Sequence, residues 1–304
     1  MQLHFAAGKK AAKRAEIPLE SPRARCYNGV MNKRILTIQD YSSVGRCSLT
    51  AALPVLAACG HDAVGLPTAL LSTQTYGIEG FTYTDLYDNM LPSYAHWKKL
   101  GINFDVLYTG FLGSMRIAEA TMEIASDLKA RGALIAVDPA MAEDGALYKI
   151  FDEAYRDKMI ELCRIADIVM PNFTEGCMLA GLEMPLEPNR ENARMILNIL
   201  RHKGYKRVLL SGIKADGCRG TASMSGGKIT FQMNDDFDAY IHGAGDCLSS
   251  AFVGKLASGM SFERAAQAAV DFCKACIEAS LKAKVDLRFG LLIERALPML
   301  VEGK

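Results

Sequence analysis

From Lys33 onward, short apolar runs alternate with longer helix-like stretches, and this alternation constrains the fold more than any other feature. The short runs are "RILTIQ", "DAVGLPT", "FDVLYTGFL", "LIAVDPA", "DIVMPN" and "RVLLSG". Between them lie "CSLTAALPVLAACG", "DLYDNMLPSYAHWKKLG", "SMRIAEATMEIASDLKARG", "DEAYRDKMIELCRIA" and "NRENARMILNILRHKG". Strands separated by helices of this length pair in parallel, and the sheet is then covered on both faces. The expected fold class is α/β, three layers deep, with a mostly parallel central sheet. After "RVLLSG" the rhythm changes. Gly226-Gly227 sits between two alternating runs, a two-residue hairpin signal, which predicts an antiparallel extension of the sheet edge. Pro54 is expected to kink the first helix and Pro92 to interrupt the second. Three helical segments close the chain, from Asp246, from Ser261 and from about Leu287.

A chain of 304 residues, half of them apolar, can build one large α/β domain or two modest ones. No internal repeat and no linker follow Met31, so residues 31–304 read as a single domain. Residues 1–30 differ: "GKKAAKRAE" is basic and alanine-rich, and the adjoining "IPLESPRAR" is broken by two prolines. Without a 7–15-residue apolar segment this is not a secretory signal; a disordered extension or an upstream start codon is expected, with a weak targeting leader as the alternative. A net charge of +1 asks for neither nucleic acid nor an anionic membrane. No apolar run approaches the roughly 18 residues that span a bilayer. Nine cysteines, odd in number and without framework spacing, read as reduced thiols of a cytoplasmic protein. Cys273 and Cys276 form a CxxC inside a helical stretch with no companion motif, so packing is their expected role.

Ligands of open α/β sheets bind beyond the carboxyl ends of the strands. The residues there are Gln39-Asp40, Thr68 to Thr75, Thr109-Gly110, Asp138-Pro139, Pro171-Asn172 to Glu175 and Ser211-Gly212. A further candidate is "AYIHGAGDCLSSAF". Gly243, Ala244 and Gly245 let the backbone turn tightly and aim amides at one spot, which suits a phosphoryl group. Asp246, at the rim, is either a general base for phosphoryl transfer or an ordinary first-turn acid. Asp138 is open to reading as a turn residue, and Glu175 as a helix first-turn residue. His242 reads as a loop position, Cys247 as small-residue packing and Trp97 as helix-face packing.

Taken in order, these pieces resemble the ribokinase-like kinases. "GAGD" resembles that superfamily's anion hole, and Asn172 with Glu175 in "PNFTEG" its N-x-x-E motif. "YTGFLGS" and "VDPAMAEDG" resemble the vitamin-kinase branch. "LSTQTYG" and "IQDYSSVGRCSLTAALPVLAACG" look like pyridoxal and pyridoxamine kinases. The resemblance runs from Met31 to the C-terminus. It implies a ribokinase-like fold and ATP-dependent phosphorylation of the 5′-hydroxymethyl group of a vitamin B6 form. Asp246 would be the catalytic base, and Gly243, Ala244 and Gly245 the anion hole. Asp138, Asn172, Glu175 and Ser211 would lie around ATP, with Asp138 and Glu175 near Mg²⁺. Thr75 and Tyr76 would cover the substrate ring. Asp40 departs from the serine common at its position; it would bind the ring differently or mark a different substrate. A homodimer and a monovalent-cation effect are also implied. The long β-stranded lid of sugar kinases is missing, which favours the vitamin branch. The alternatives are a hydroxymethylpyrimidine kinase of thiamine synthesis and a non-catalytic B6 carrier or sensor.

Overall fold

The computed structural model describes residues 25–27, 30–75, 77–237 and 242–301. Two short strands, β1 (Arg25–Tyr27) and β2 (Val30–Asn32), pair antiparallel; the rest of the expected 1–30 extension lies outside the described residues. The chain continues through β3 (Arg34–Val44), α1 (Ser48–Ala58), β4 (Asp62–Thr73), β5 (Tyr83–Asp85), α2 (Tyr87–Lys99), β6 (Val106–Thr109), α3 (Met115–Ala130) and β7 (Leu134–Val137). A small hairpin of β8 (Ala142–Glu143) and β9 (Ala146–Leu147) comes next, then α4 (Glu153–Ile165), β10 (Ile168–Val169), α5 (Phe173–Ala180) and α6 (Arg190–His202). The last elements are β11 (Arg207–Ala215), β12 (Cys218–Ser225), β13 (Lys228–Asp235), α7 (Ala244–Ala257) and α8 (Phe262–Ala283).

Among the described residues, nine strands form the main sheet in the order β13-β12-β11-β10-β7-β6-β3-β4-β5. The centre, from β11 to β4, is parallel. Both edges are antiparallel: β12 and β13 at one, the three-residue β5 at the other. Period-two alternation sends neighbouring residues into opposite cores. Leu36, Leu107, Ile135 and Val208 enter one core with α2 to α6, while Ile35, Val106, Ala136 and Leu209 enter the other with α1, α7 and α8. Each fully buried aliphatic side chain contributes about 1.5–3 kcal/mol to holding these layers together.

The hairpin at Gly226-Gly227 forms where the sequence places it, with Ser225 opposite Lys228. Pro92 does not interrupt its helix: α2 runs unbroken from Tyr87 to Lys99. Pro54 likewise lies inside α1. The helix expected from Leu287 is three short 3₁₀ turns, at Leu287–Phe289, Ile293–Arg295 and Leu297–Leu300. Gly290, at φ 85°, separates the first turn from the second, and Pro298 opens the third. β3 and β4 are longer than expected and carry the sheet past Asp40, so that residue lies within a strand rather than beyond it.

Candidate active site

The start of α7 is built around two glycines with different reasons for being glycine. Gly243 caps the helix in the left-handed region, at φ 74°. A Cβ there would stand 2.4 Å from the carbonyl oxygen of Arg46. The same oxygen would stand 2.4 Å from a Cβ at Gly290. One backbone carbonyl is thus wedged between two glycines from the last quarter of the chain, which locks the loop before α1 to the loop before α7. Gly245 is exposed and lacks a positive φ, and among the described residues a Cβ on it would meet nothing within 4 Å. The first amides of α7 have no partners inside the helix.

Asp246 sits at the third position of α7 and is half-buried. The Ser48 amide donates to its Oδ2 at 2.8 Å. Burial pushes the Asp246 carboxyl up to about 7; the Ser48 N–H opposes this, and the charges of Asp138 and Asp40 add to it. A carboxylate of that basicity suits proton transfer near neutral pH. Asp138 lies at the end of β7. Its Oδ2 accepts from Ser249 Oγ at 2.8 Å, one turn along α7 from Asp246, and its Oδ1 accepts from the Ala140 amide at 3.3 Å. Burial and the charge of Glu175 raise its pKa.

Asn172 and Glu175 form a capping box at the start of α5. The Glu175 amide donates to Asn172 Oδ1 at 2.9 Å, and the Asn172 amide donates to Glu175 Oε2 at 2.8 Å. Glu175 Oε1 accepts from the amides of Met141 and Ala142 at 2.8 and 3.3 Å, and Asn172 Nδ2 donates to the Ala142 carbonyl at 2.6 Å. With 1% of its surface exposed, Glu175 braces the loop after Asp138 instead of facing a cleft. Burial outweighs these donors and raises its pKa. Ser211 bridges in parallel to Asn172 and donates its amide to the Pro171 carbonyl at 2.9 Å. It adjoins Gly212, whose φ is 80°.

At the substrate end, the β3–β4 register shifts between Gln39 and Tyr41, where Gln39 faces Pro67 and Tyr41 faces Leu70. Such a shift re-aims side chains, and Asp40 is 5% exposed. Ser42 Oγ donates to its Oδ2 at 2.8 Å and Ser48 Oγ donates to its Oδ1. Each Asp40 oxygen thus already accepts one hydrogen bond from within the protein. Thr75 is exposed just past β4. Tyr76 lies outside the described residues.

The structure therefore groups Asp246, Asp138 and Asp40 around the start of α7, with Glu175 and Asn172 behind them. Ser42, Ser48 and Ser249 join this group without having been singled out in the sequence. Ser249 follows Asp246 by three residues, a spacing that puts both on one helix face. Gln39 and Tyr108 are also buried here. Burial, then the charges of Asp138 and Asp246, push the Tyr108 hydroxyl up. Cys247 is fully buried and burial pushes its thiol well up, which suits packing rather than reactivity. Burial pushes the His242 imidazole down. The eight cysteines from Cys47 to Cys276 are free thiols.

The phosphomethylpyrimidine kinase family matches residues 44–287. The chain belongs to that family. This kinase is 24% identical over 251 residues to the hydroxymethylpyrimidine/phosphomethylpyrimidine kinase of Haemophilus influenzae, a match covering 81% of this chain and 91% of that one. A Bacteroides thetaiotaomicron structure assigned as a phosphomethylpyrimidine kinase, in a crystal form with pyridoxal, superposes with a TM-score of 0.82. It is 32% identical, over 88% of this chain and 96% of that one. Pyridoxal kinase from Lactobacillus plantarum gives a TM-score of 0.81 at 28% identity, over 88% and 96% of the two chains. The three-layer α/β architecture, with its mostly parallel sheet and antiparallel strands, is the one these structures share.

The donor set fits the ATP and Mg²⁺ that a kinase of this family implies. Asp138 and Asp40 each raise the pKa of Asp246, and Glu175 raises that of Asp138. Like charges that act on one another in this way are relieved by a cation. Among the described residues no cluster of three or more His, Cys, Asp or Glu side chains forms a metal cage. Mg²⁺ usually takes one or two carboxylates and keeps its waters. Among the described residues no helix is long and apolar enough to cross a membrane.

Proposed function

We propose that this kinase transfers the γ-phosphoryl group of ATP to the 5′-hydroxymethyl group of a vitamin B6 form, with Asp246 as the general base. The supporting observation is the position of Asp246: in the first turn of α7, its carboxyl raised into the neutral range by burial and by the charge of Asp138. Asp246 takes the proton of the alcohol as that oxygen attacks the γ-phosphorus and ADP leaves. The amides at Gly243 to Gly245 and the α7 dipole meet the charge spread over the transferring group. Asp138 would hold Mg²⁺, which when bound supplies positive charge to the nucleotide phosphates. Glu175 and Asn172 keep the Asp138 loop in place, and Ser211 lies beside them. The Bacteroides relative crystallised with pyridoxal and the Lactobacillus pyridoxal kinase support the B6 assignment.

A second reading is carried by the Haemophilus relative and the family match: the pyrimidine alcohol of thiamine synthesis as acceptor. A coupled ADP-release assay over pyridoxal, pyridoxamine, pyridoxine and hydroxymethylpyrimidine separates the two. Highest kcat/KM on a B6 form is expected; preferred turnover of the pyrimidine replaces the first reading with the second. B6 binding without any ADP release would instead indicate a carrier. We take residues 31–304 as one kinase domain and, from the family resemblance, a cytoplasmic homodimer. Light scattering on the purified chain checks the dimer.

A further inference from the structure

The only hydrogen bond to the Asp246 carboxylate among the described residues comes from a different part of the chain. Its donor is the Ser48 amide, 198 residues away in sequence. Ser48 is 7% exposed and has φ 48°, a left-handed conformation that a residue with a Cβ holds only when its surroundings impose it. Those surroundings are visible. The Ser48 hydroxyl donates to Asp40, and the other Asp40 oxygen is held by Ser42. Just upstream, the Arg46 carbonyl is wedged between Gly243 and Gly290.

We propose that Asp40 and Ser48 are positioning residues that aim the Asp246 carboxylate at the acceptor hydroxyl, Asp40 acting through the Ser48 hydroxyl rather than on the substrate ring. The inference deepens, and rests on, the reading of Asp246 as the base. A rotated Ser48 would take its amide away from Asp246 Oδ2, and Asp40 is the group that holds the Ser48 side chain in place. The titratable groups facing Asp246 are Asp40 from β3, Cys47 from the start of α1, Tyr108 from β6, Asp138 from the end of β7 and Cys247 on its own helix. All of them are acids, so among these neighbours the Ser48 amide is what orients the carboxylate.

The test is a set of double-mutant cycles on the full chain, measured as kcat and KM across pH. Asp40→Ala and Ser48→Ala should each lower kcat about tenfold or more, the scale on which small misplacements act, with the vitamer KM within about twofold. Ser48→Gly removes the hydroxyl but relieves the left-handed backbone, and it should lose as much as Ser48→Ala. Asp40→Asn should move the acidic limb of the kcat profile to lower pH, because a charge that raises Asp246 is gone. In an Asp246→Asn background, Asp40→Ala and Ser48→Ala should cost nothing further, since both act through Asp246. A raised KM with kcat intact, or losses that multiply in the Asp246→Asn background, would overturn the positioning role and leave the base reading standing. Wild-type turnover by Asp246→Asn alone would overturn the base reading itself. Melting curves identify any variant that does not fold, and the near-isosteric Asp40→Asn carries the test if Asp40→Ala is one of them.

Discussion

Adding one methyl group at Gly243 should disable this kinase, and the size of the effect can be worked from the geometry. Gly243→Ala places a Cβ in the left-handed region, which costs about 1–2 kcal/mol. The new Cβ also stands 2.4 Å from the Arg46 carbonyl oxygen, where ordinary contact begins at 3.4 Å, so something must move by about 1 Å. The carbonyl has little room to retreat, because Gly290 packs against it so tightly that a Cβ there would also stand 2.4 Å from the same oxygen. Overpacking of this kind costs about 1–3 kcal/mol more. The total, about 2–5 kcal/mol, corresponds to a fall in Tm on the order of 5–15 °C. The displacement separates Asp246 from Ser48, and a 1 Å error at a reacting group costs about 100-fold in rate. Differential scanning calorimetry and the ADP-release assay measure the two effects. Gly245→Ala is the control. Its Cβ meets nothing within 4 Å among the described residues, so Tm should stay within about 2 °C of wild type, while turnover should fall about tenfold or more if the phosphoryl group occupies that space as proposed. Wild-type kcat in Gly243→Ala would refute the wedge. Wild-type kinetics in Gly245→Ala would place the phosphates elsewhere.

The same structure carries further expected outcomes. Asp246→Asn should lower kcat by about 10²–10⁴-fold, the range of general-base contributions, with little change in vitamer binding measured by calorimetry. Asp246 is raised from 3.8 to about 7 in the folded protein. Between those values the folded state binds more protons than the unfolded one, so this group's contribution to stability is fully present below pH 4 and is lost as pH rises through about 7. Denaturant titrations should show Asp246→Asn gaining stability over wild type at the upper end of that window and not at its lower end. Glu175→Ala leaves the amides of Met141, Ala142 and Asn172 without their shared acceptor. At about 1–3 kcal/mol for a buried unsatisfied group, Tm should drop by several degrees and the KM for ATP should rise as the Asp138 loop loosens. Lys255, buried in α7, donates to the Leu300 carbonyl at 2.7 Å. Lys255→Ala should speed amide exchange around Leu297–Leu300 before it affects turnover.

The layered sheet was legible because apolar periodicity is a local property, and "GAGD" was legible because a tight bend before a helix has its own residue vocabulary. The antiparallel β5 edge was not, since three residues carry no periodicity. Pro92 was misread because tertiary packing of Met90 and Tyr94 holds α2 together across a missing amide. The closing 3₁₀ turns were misread as helix because Gly290 and Pro298 are spaced widely enough to leave helix-like fragments between them. Asp138, Glu175 and Asp246 could be named from strand ends and helix starts. Ser48 could not. It sits in "RCSLTAAL", where a serine reads as a helix opener, and what distinguishes it is a backbone angle and a partner far along the chain. Asp40 could be noticed as unusual, but its engagement by two hydroxyls depends on a register shift that no local pattern encodes.

With Asp246 as the base, the Ser48–Asp246 hydrogen bond also bears on when the enzyme can first work. A ribosome delivers Asp40 and Ser48 early, and the carboxylate they await emerges 198 residues later. Contacts of such long sequence separation form late in folding. If Asp246 is the base, onset of phosphoryl transfer during refolding should therefore mark the docking of α7 against the loop before α1.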